Sequence, residues 1–265
     1  MLYYKIAKDF FGGSMTSEIL YLALDLGEKL LTCGAEIHRV EESISRICSA
    51  YGAKRVDAYA TTACMIVSAE DENGKITTQT RRIKGISNDI EKLDALNNLS
   101  RYIAKEAPAP EIIRAKFDEI NKIKTYHPLI IILSYAIIAG SFTMFFGART
   151  FIEIFVSSVI AAIIGVINCY GEKKMMQKLL LKLVCSFISC SLALLSVKYS
   201  IAPHVDKIII GNVMTLIPGV GLTNAIRDLF VGDVNTGILR LIDAILLGSA
   251  IAAGYVLSAL MIGGI

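Results

Sequence analysis

Five uncharged runs follow one another in the C-terminal half of this chain, at 128–148, 154–171, 183–197, 208–226 and 244–265. Crossing ~30 Å of hydrocarbon takes about 20 residues of helix. The third run reaches that length when residues 179–182 are added and Lys182 snorkels toward the headgroups. One such run alone would also suit a buried core helix. Five in succession, joined by short polar links, read as membrane spans.

Charge is partitioned to match. Residues 1–127 hold 18 Lys and Arg with 18 Asp and Glu, against 9 and 6 in the remainder, so the chain divides near His127–Pro128. The predicted fold is an α-helical membrane protein with about five transmembrane helices preceded by a cytoplasmic α+β domain, the two domains being 1–127 and 128–265. Basic residues in the apolar half report topology rather than a nucleic-acid surface, and no nucleic-acid module is evident. Arg114, Lys116, Lys122, Lys124, Lys173, Lys174, Lys178, Lys182, Arg227 and Arg240 fall on one side; Arg149, Lys198 and Lys207 fall on the other. This places the N-terminus in the cytoplasm and the C-terminus outside an inner or plasma membrane. The first eleven residues carry Lys5, Lys8 and Asp9 and no small-residue cleavage site, so they do not read as a signal peptide.

Within the N-terminal domain, Ile19, Leu22, Ala23, Leu26 and Leu30 recur at helical steps, predicting a helix over 16–33 capped by Gly34. Ile37, Val40, Ile44, Ile47, Cys48 and Tyr51 repeat the pattern up to Gly52. From Val56 to Ile83 the composition turns to Thr, Val, Ile and Tyr around Asn73-Gly74, which predicts at least two antiparallel strands. Asn88 with Glu91 resembles a capping box for a helix to about Lys105, and Pro110 suits the first position of another.

The chemistry-bearing candidates are few. Six cysteines (33, 48, 64, 169, 185, 190) form no CxxC pair and have no zinc-spaced histidine, so they read as free buried thiols, and no cofactor or metal motif is present. His38 and Glu42 lie four apart on one helix face beside Arg39. That group could bind an anion or relay a proton, but surface ion pairing or helix packing is the favoured reading. The fourth run is interrupted by Asn212, Thr215, Pro218, Gly219, Gly221, Thr223 and Asn224. Proline removes a backbone donor and clashes with the carbonyl four residues back, here Met214. The result is either a kinked span or a broken one whose freed amides and carbonyls line a substrate site. Arg227, nine positions past Pro218, is assigned with Asp228 to a gate or interface. Glu153 and Asp243 fall near span ends, where headgroups and water solvate a carboxylate, and Ser186, Ser189, Cys190 and Ser191 allow close helix approach.

Two stretches in different halves, residues 34–42 (Gly-Ala-Glu-Ile-His-Arg-Val-Glu-Glu) and 217–228 (Ile-Pro-Gly-Val-Gly-Leu-Thr-Asn-Ala-Ile-Arg-Asp) with Gly232-Asp233, Arg240 and Asp243 beyond, resemble the threonine/serine exporter family. The resemblance covers most of residues 16–265. It draws Glu36, Arg39, Glu41 and Glu42 into a cytoplasmic-domain motif and sets Arg240 and Asp243 beside the gate residues; no role is carried onto His38. It implies the larger subunit of a split pair working with a small transmembrane partner, with homo-oligomers also compatible. The implied substrates are threonine, serine or a dicarboxylate such as succinate, all bearing a carboxylate. The leading expectation is therefore a secondary exporter subunit and not an enzyme. A membrane-anchored hydrolase lacks a nucleophile elbow, metal motif or triad, and a sensor or scaffold needs fewer spans. No GxxxxGK[ST] suggests ATP as the driving force.

Overall fold

The computed structural model describes residues 17–85, 87–123, 126–174 and 176–262. The expectations for residues 1–11 lie outside the described residues. The chain forms two compact units: residues 1–124 with 224–240, and residues 125–223 with 241–265.

The first unit begins with α1 (Ser17–Thr32) and α2 (Ile37–Ala50), both amphipathic. Gly34 ends the first with φ +99°, and a Cβ there would meet Asn88 Oδ1 at 2.8 Å and Ser87 O at 3.0 Å, so the position demands glycine twice over. Three strands follow, β1 (Arg55–Ala60), β2 (Cys64–Glu70) and β3 (Ile76–Arg82), in an antiparallel meander that pairs Tyr59 with Ile66 and Ser68 with Thr78. The β2–β3 turn is held by the Asp71 carboxylate, which accepts the amides of Asn73 at 2.8 Å and Lys75 at 2.9 Å, while Gly74 takes φ +79°. Met65, Val67 and Ala69 alternate inward along β2, and Ile66 stays exposed.

Next come α3 (Ile90–Glu106) and α4 (Pro110–Asn121), the latter with proline in its first turn as expected. The cap of α3 corrects the sequence reading: Asp89, not Asn88, accepts the Lys92 amide at 3.1 Å, because Asn88 is committed to its packing on Gly34. Leu20, Leu24 and Leu31 from α1, Ile37, Ile44 and Ile47 from α2, Met65 from β2, and Leu96 and Ile103 from α3 form the core. Each such side chain contributes about 1.5–3 kcal/mol over its exposed state.

The second unit contains α5 (Pro128–Phe145), α6 (Phe151–Lys173) and α7 (Lys178–Lys198), followed by α8 (Val205–Met214), α9 (Gly219–Val231) and α10 (Val234–Ile262). Helices α9 and α10 each run across the boundary between the units. Four of these helices are long and apolar enough to cross a membrane. A fifth crossing exists only if α8 and α9, bent by 57° at their junction, are taken together. Helix α10 starts ten residues earlier than the apolar run suggests, because the chain turns at Gly232 (φ +101°), and Arg240 lies in its second turn.

Small residues let these helices approach closely. A Cβ on Gly211 would fall within 2.8 Å of the Ala139 carbonyl, and one on Gly254 within 2.5 Å of the Leu183 carbonyl. The Ser186 hydroxyl donates to Ile251 O at 2.6 Å, and Ser191 and Ser258 hydroxyls meet at 2.9 Å.

Candidate functional site

Proline at position 218 breaks the fourth span as its chemistry requires. Helix α8 ends at Met214, whose carbonyl the ring would have struck, and α9 begins at Gly219. The Gly219 amide donates to Ile217 O at 2.9 Å and the Leu222 amide to Pro218 O at 3.0 Å. Among the described residues this leaves the amides of Val220 and Gly221 without a backbone acceptor, two where up to four were expected. A Cβ on Gly219 would meet nothing within 4 Å, and one on Gly221 only Pro218 Cβ at 3.9 Å. The first turn of α9 therefore presents bare backbone to open space.

The polar residues expected around this break divide into two groups. Thr215 and Thr223 turn their hydroxyls onto backbone, donating to Asn212 O at 2.7 Å and Gly219 O at 3.0 Å. Asn212 is fully buried, and its amide nitrogen donates to Ser157 Oγ and Ile208 O, both at 2.9 Å. Thr143 completes this knot by donating to Ser157 Oγ at 2.6 Å, so α5, α6 and α8 are joined by three polar side chains. Asn212 Oδ1 is left buried with no partner among the described residues. Asn224, half-buried, belongs to the first unit.

Glu153 corrects another expectation. Its carboxylate has no exposed surface and accepts the amides of Arg149 and Thr150, each at 3.1 Å, with His204 Nδ1 at 2.6 Å. Water does not solvate it; its own helix start and the imidazole do. The signal was present as Thr150-Phe-Ile-Glu153, the spacing at which a glutamate reaches back to the free amides at the start of its own helix.

In the first unit, the two stretches that carried the family resemblance come together. Arg227 pairs with Glu36, Arg240 Nη1 lies 2.9 Å from Asp228 Oδ2, and Arg240 Nη2 donates to Ala35 O at 3.1 Å. Arg39 also reaches Glu36, at 3.4 Å. Sequence reasoning singled out these residues separately and missed their meeting, which no local pattern encodes. Asp243 is exposed on α10.

Glu41 turns toward the sheet and accepts the Ala60 amide at 2.7 Å, while Glu42 pairs with Arg46 at 3.6 Å. Burial raises the Glu41 carboxyl above its ordinary value; the Ala60 amide opposes this, Asp233 adds to it, and His38 offsets it. His38, Glu41 and Glu42 line one wall of an open groove of about 590 Å³ whose other wall includes Asp57, Tyr59 and Ile66. Among the described residues no cluster of three His, Cys, Asp or Glu has metal-binding geometry. Burial pushes the Cys33 thiol up and the Cys48 thiol to about 12, which keeps both protonated at neutral pH.

Four helices of spanning length, with two shorter ones that reach it only when taken together across a proline break, are the make-up of a multi-pass helical membrane protein. The family model for threonine/serine exporters, ThrE, matches residues 21–263, and the chain belongs to that family. It is thereby a membrane exporter of the threonine/serine type. No curated protein and no solved structure matches it.

Proposed function

We propose that this chain is the larger subunit of a two-subunit secondary exporter that carries small carboxylate-bearing metabolites, threonine, serine or a dicarboxylate such as succinate, out of the cell. The observation that carries this reading is the 57° break at Pro218, with Gly219 facing open space. The unengaged amides of Val220 and Gly221 stand at the positive end of the α9 dipole, a setting that favours a carboxylate. Glycine at 219 and 221 lets such a ligand reach the backbone. Thr223 and Asn224 flank that turn. Asn212 and Thr215 hold the end of α8, so that the fixed half of the broken span ends where the substrate begins.

In this reading residues 1–127 form a cytoplasmic α+β domain, and the C-terminus is external. A small, wholly membrane-embedded partner of the same family covers apolar surface that this chain leaves exposed. Leu133, Ile137, Ile245 and Leu260 are among those exposed side chains, and lipid covers the rest.

The test replaces Pro218 and Gly219 together by alanine, which restores a continuous helix and buries the amides. Cells expressing the chain with its small partner are loaded with labelled threonine, serine or succinate, and efflux is followed at matched protein levels. Efflux falls at least about tenfold while insertion and subunit association persist, as expected for loss of a binding interaction worth a charge-assisted hydrogen bond. Efflux near the wild-type rate for all three solutes would place the site elsewhere.

A further inference from the structure

The contacts between the 34–42 and 227–240 segments differ sharply in how easily they can open. Arg240 and Asp228 are 9% and 3% exposed, and Arg240 also holds the Ala35 carbonyl, 205 residues away in sequence. Separating a buried pair strands two charges, so this contact is costly to open. The neighbouring pair is the opposite case. Arg227 has 52% of its side chain in solvent and Glu36 has 22%, so water replaces the contact at small cost.

Glu36 is moreover shared. Its Oε1 meets Arg227, while its Oε2 is 3.4 Å from Arg39 on its own helix, whose side chain is 61% exposed. Losing Arg227 therefore leaves Glu36 with a cation one turn away. A fixed anchor beside a carboxylate that keeps one cation on its own helix when it lets the other go is the geometry of a hinge with a latch. Arg227 lies eight residues beyond Gly219 on α9, about 12 Å along a helix of that length, so freeing or holding Arg227 acts on the helix that starts at the proline break.

We propose that this joint is a positioning device through which the N-terminal domain holds and releases α9: Ala35 and Asp228 on Arg240 are the anchor, and Glu36, held by both Arg227 and Arg39, lets Arg227 go while keeping Arg39. This rests on the reading of Pro218–Gly219 as the moving gate. Arg227 and Glu36 act on transport through the position of α9, without touching the substrate. Substituting either one lowers turnover and leaves the half-saturating substrate concentration nearly unchanged.

The test uses the full chain in cells, with Glu36→Arg, Arg227→Glu and the two combined. Each single reversal should cut maximal threonine efflux about tenfold or more, and the double reversal should return it to within about threefold of wild type, the signature of two residues that act on each other. Unchanged efflux in the singles, or a double variant no better than either, would overturn the proposal. So would a rise in the half-saturating concentration that accounts for the whole loss, because Arg227 would then be a substrate ligand. A second arm places cysteines at 36 and 227 in a Cys64→Ser, Cys169→Ser background, the other four cysteines being buried, and bridges them with a short reducible bis-thiosulfonate. Bridging should stop efflux and thiol should restore it; a bridged protein that exports at the reduced rate excludes a latch that opens. The Pro218–Gly219 double substitution is scored in the same cells, so failure of the gate reading appears there and failure of the latch appears in the swap and the bridge.

Discussion

His204 Nδ1 stands 2.6 Å from the carboxylate of Glu153, joining a ring with more than half its side chain in solvent to an acid with none. The two amides of Arg149 and Thr150 complete the carboxylate's shell. Glu153→Ala strands both amides at the start of α6 and should destabilise the purified protein by about 1–3 kcal/mol. Glu153→Gln keeps an acceptor for them and should cost less. His204→Ala, removing only the exposed partner, should cost the least. Thermal unfolding in detergent ranks the three, and a His204→Ala loss equal to that of Glu153→Ala would contradict the assignment.

Gly211 supports a second expectation. A methyl group there would run into the Thr143 side chain, the Thr143 amide at 2.9 Å and the Ala139 carbonyl at 2.8 Å, all on α5. Backbone cannot give way as a flexible side chain does, so Gly211→Ala should cost about 1–3 kcal/mol or more. Gly219→Ala meets no neighbour and should leave the melting temperature within about 1 kcal/mol equivalent of wild type. Equal stability of the two variants would mean that α8 does not pack on α5 as described.

Glu41 yields a pH dependence of definite sign. Its carboxyl is raised above the ordinary glutamate value, chiefly by burial, so the folded chain binds a proton more tightly than the unfolded chain does. Stability attributable to this group is greatest below the unfolded value and declines as pH rises through the window up to the folded one. Glutamine keeps the acceptor for the Ala60 amide and cannot ionise. Glu41→Gln should therefore gain on wild type in melting temperature as pH is raised from about 4 to 7. A variant that loses ground over that range would reverse the assignment.

Topology is open to a direct check. Reporter fusions after residue 123 and after residue 262 should report opposite sides of the membrane, the first cytoplasmic, in line with the basic-residue bias. Both fusions on one side would mean that α8 and α9 enter and leave by the same face.

What could be read from the sequence was whatever is encoded locally. The apolar steps from Ile19 to Leu30 and from Ile37 to Tyr51 placed two helices to within a residue or two, and Gly34 and Gly52 marked their ends because both need positive φ. Pro218 announced its break for the same reason: the obstacle is within one turn of the residue that causes it. Non-local commitments were invisible. Asn88 looks like a cap until Gly34 is seen against it, Glu153 looks solvated until His204 is brought across from another loop, and the hold of the Asn212 amide on Ser157 links two helices that no local pattern pairs. Arg240 was counted as a topology-setting cation beside the gate residues, and nothing local showed that its guanidinium is buried against Asp228.

The discontinuity of the first unit bears on how the protein is made. Ala35 and Glu36 leave the ribosome early, whereas Arg227 and Arg240 follow 191 and 205 residues later in their respective pairs. At about 5–20 residues per second, that interval is roughly 10–40 s. For that time the N-terminal unit exists without its last two helical pieces, with the Ala35 carbonyl and the Glu36 carboxylate facing water, and the apolar helices are threaded before it is finished. Completion of the unit thus requires that every span before α10 has already been synthesised, and a chain truncated anywhere upstream of Arg240 lacks the donor to the Ala35 carbonyl.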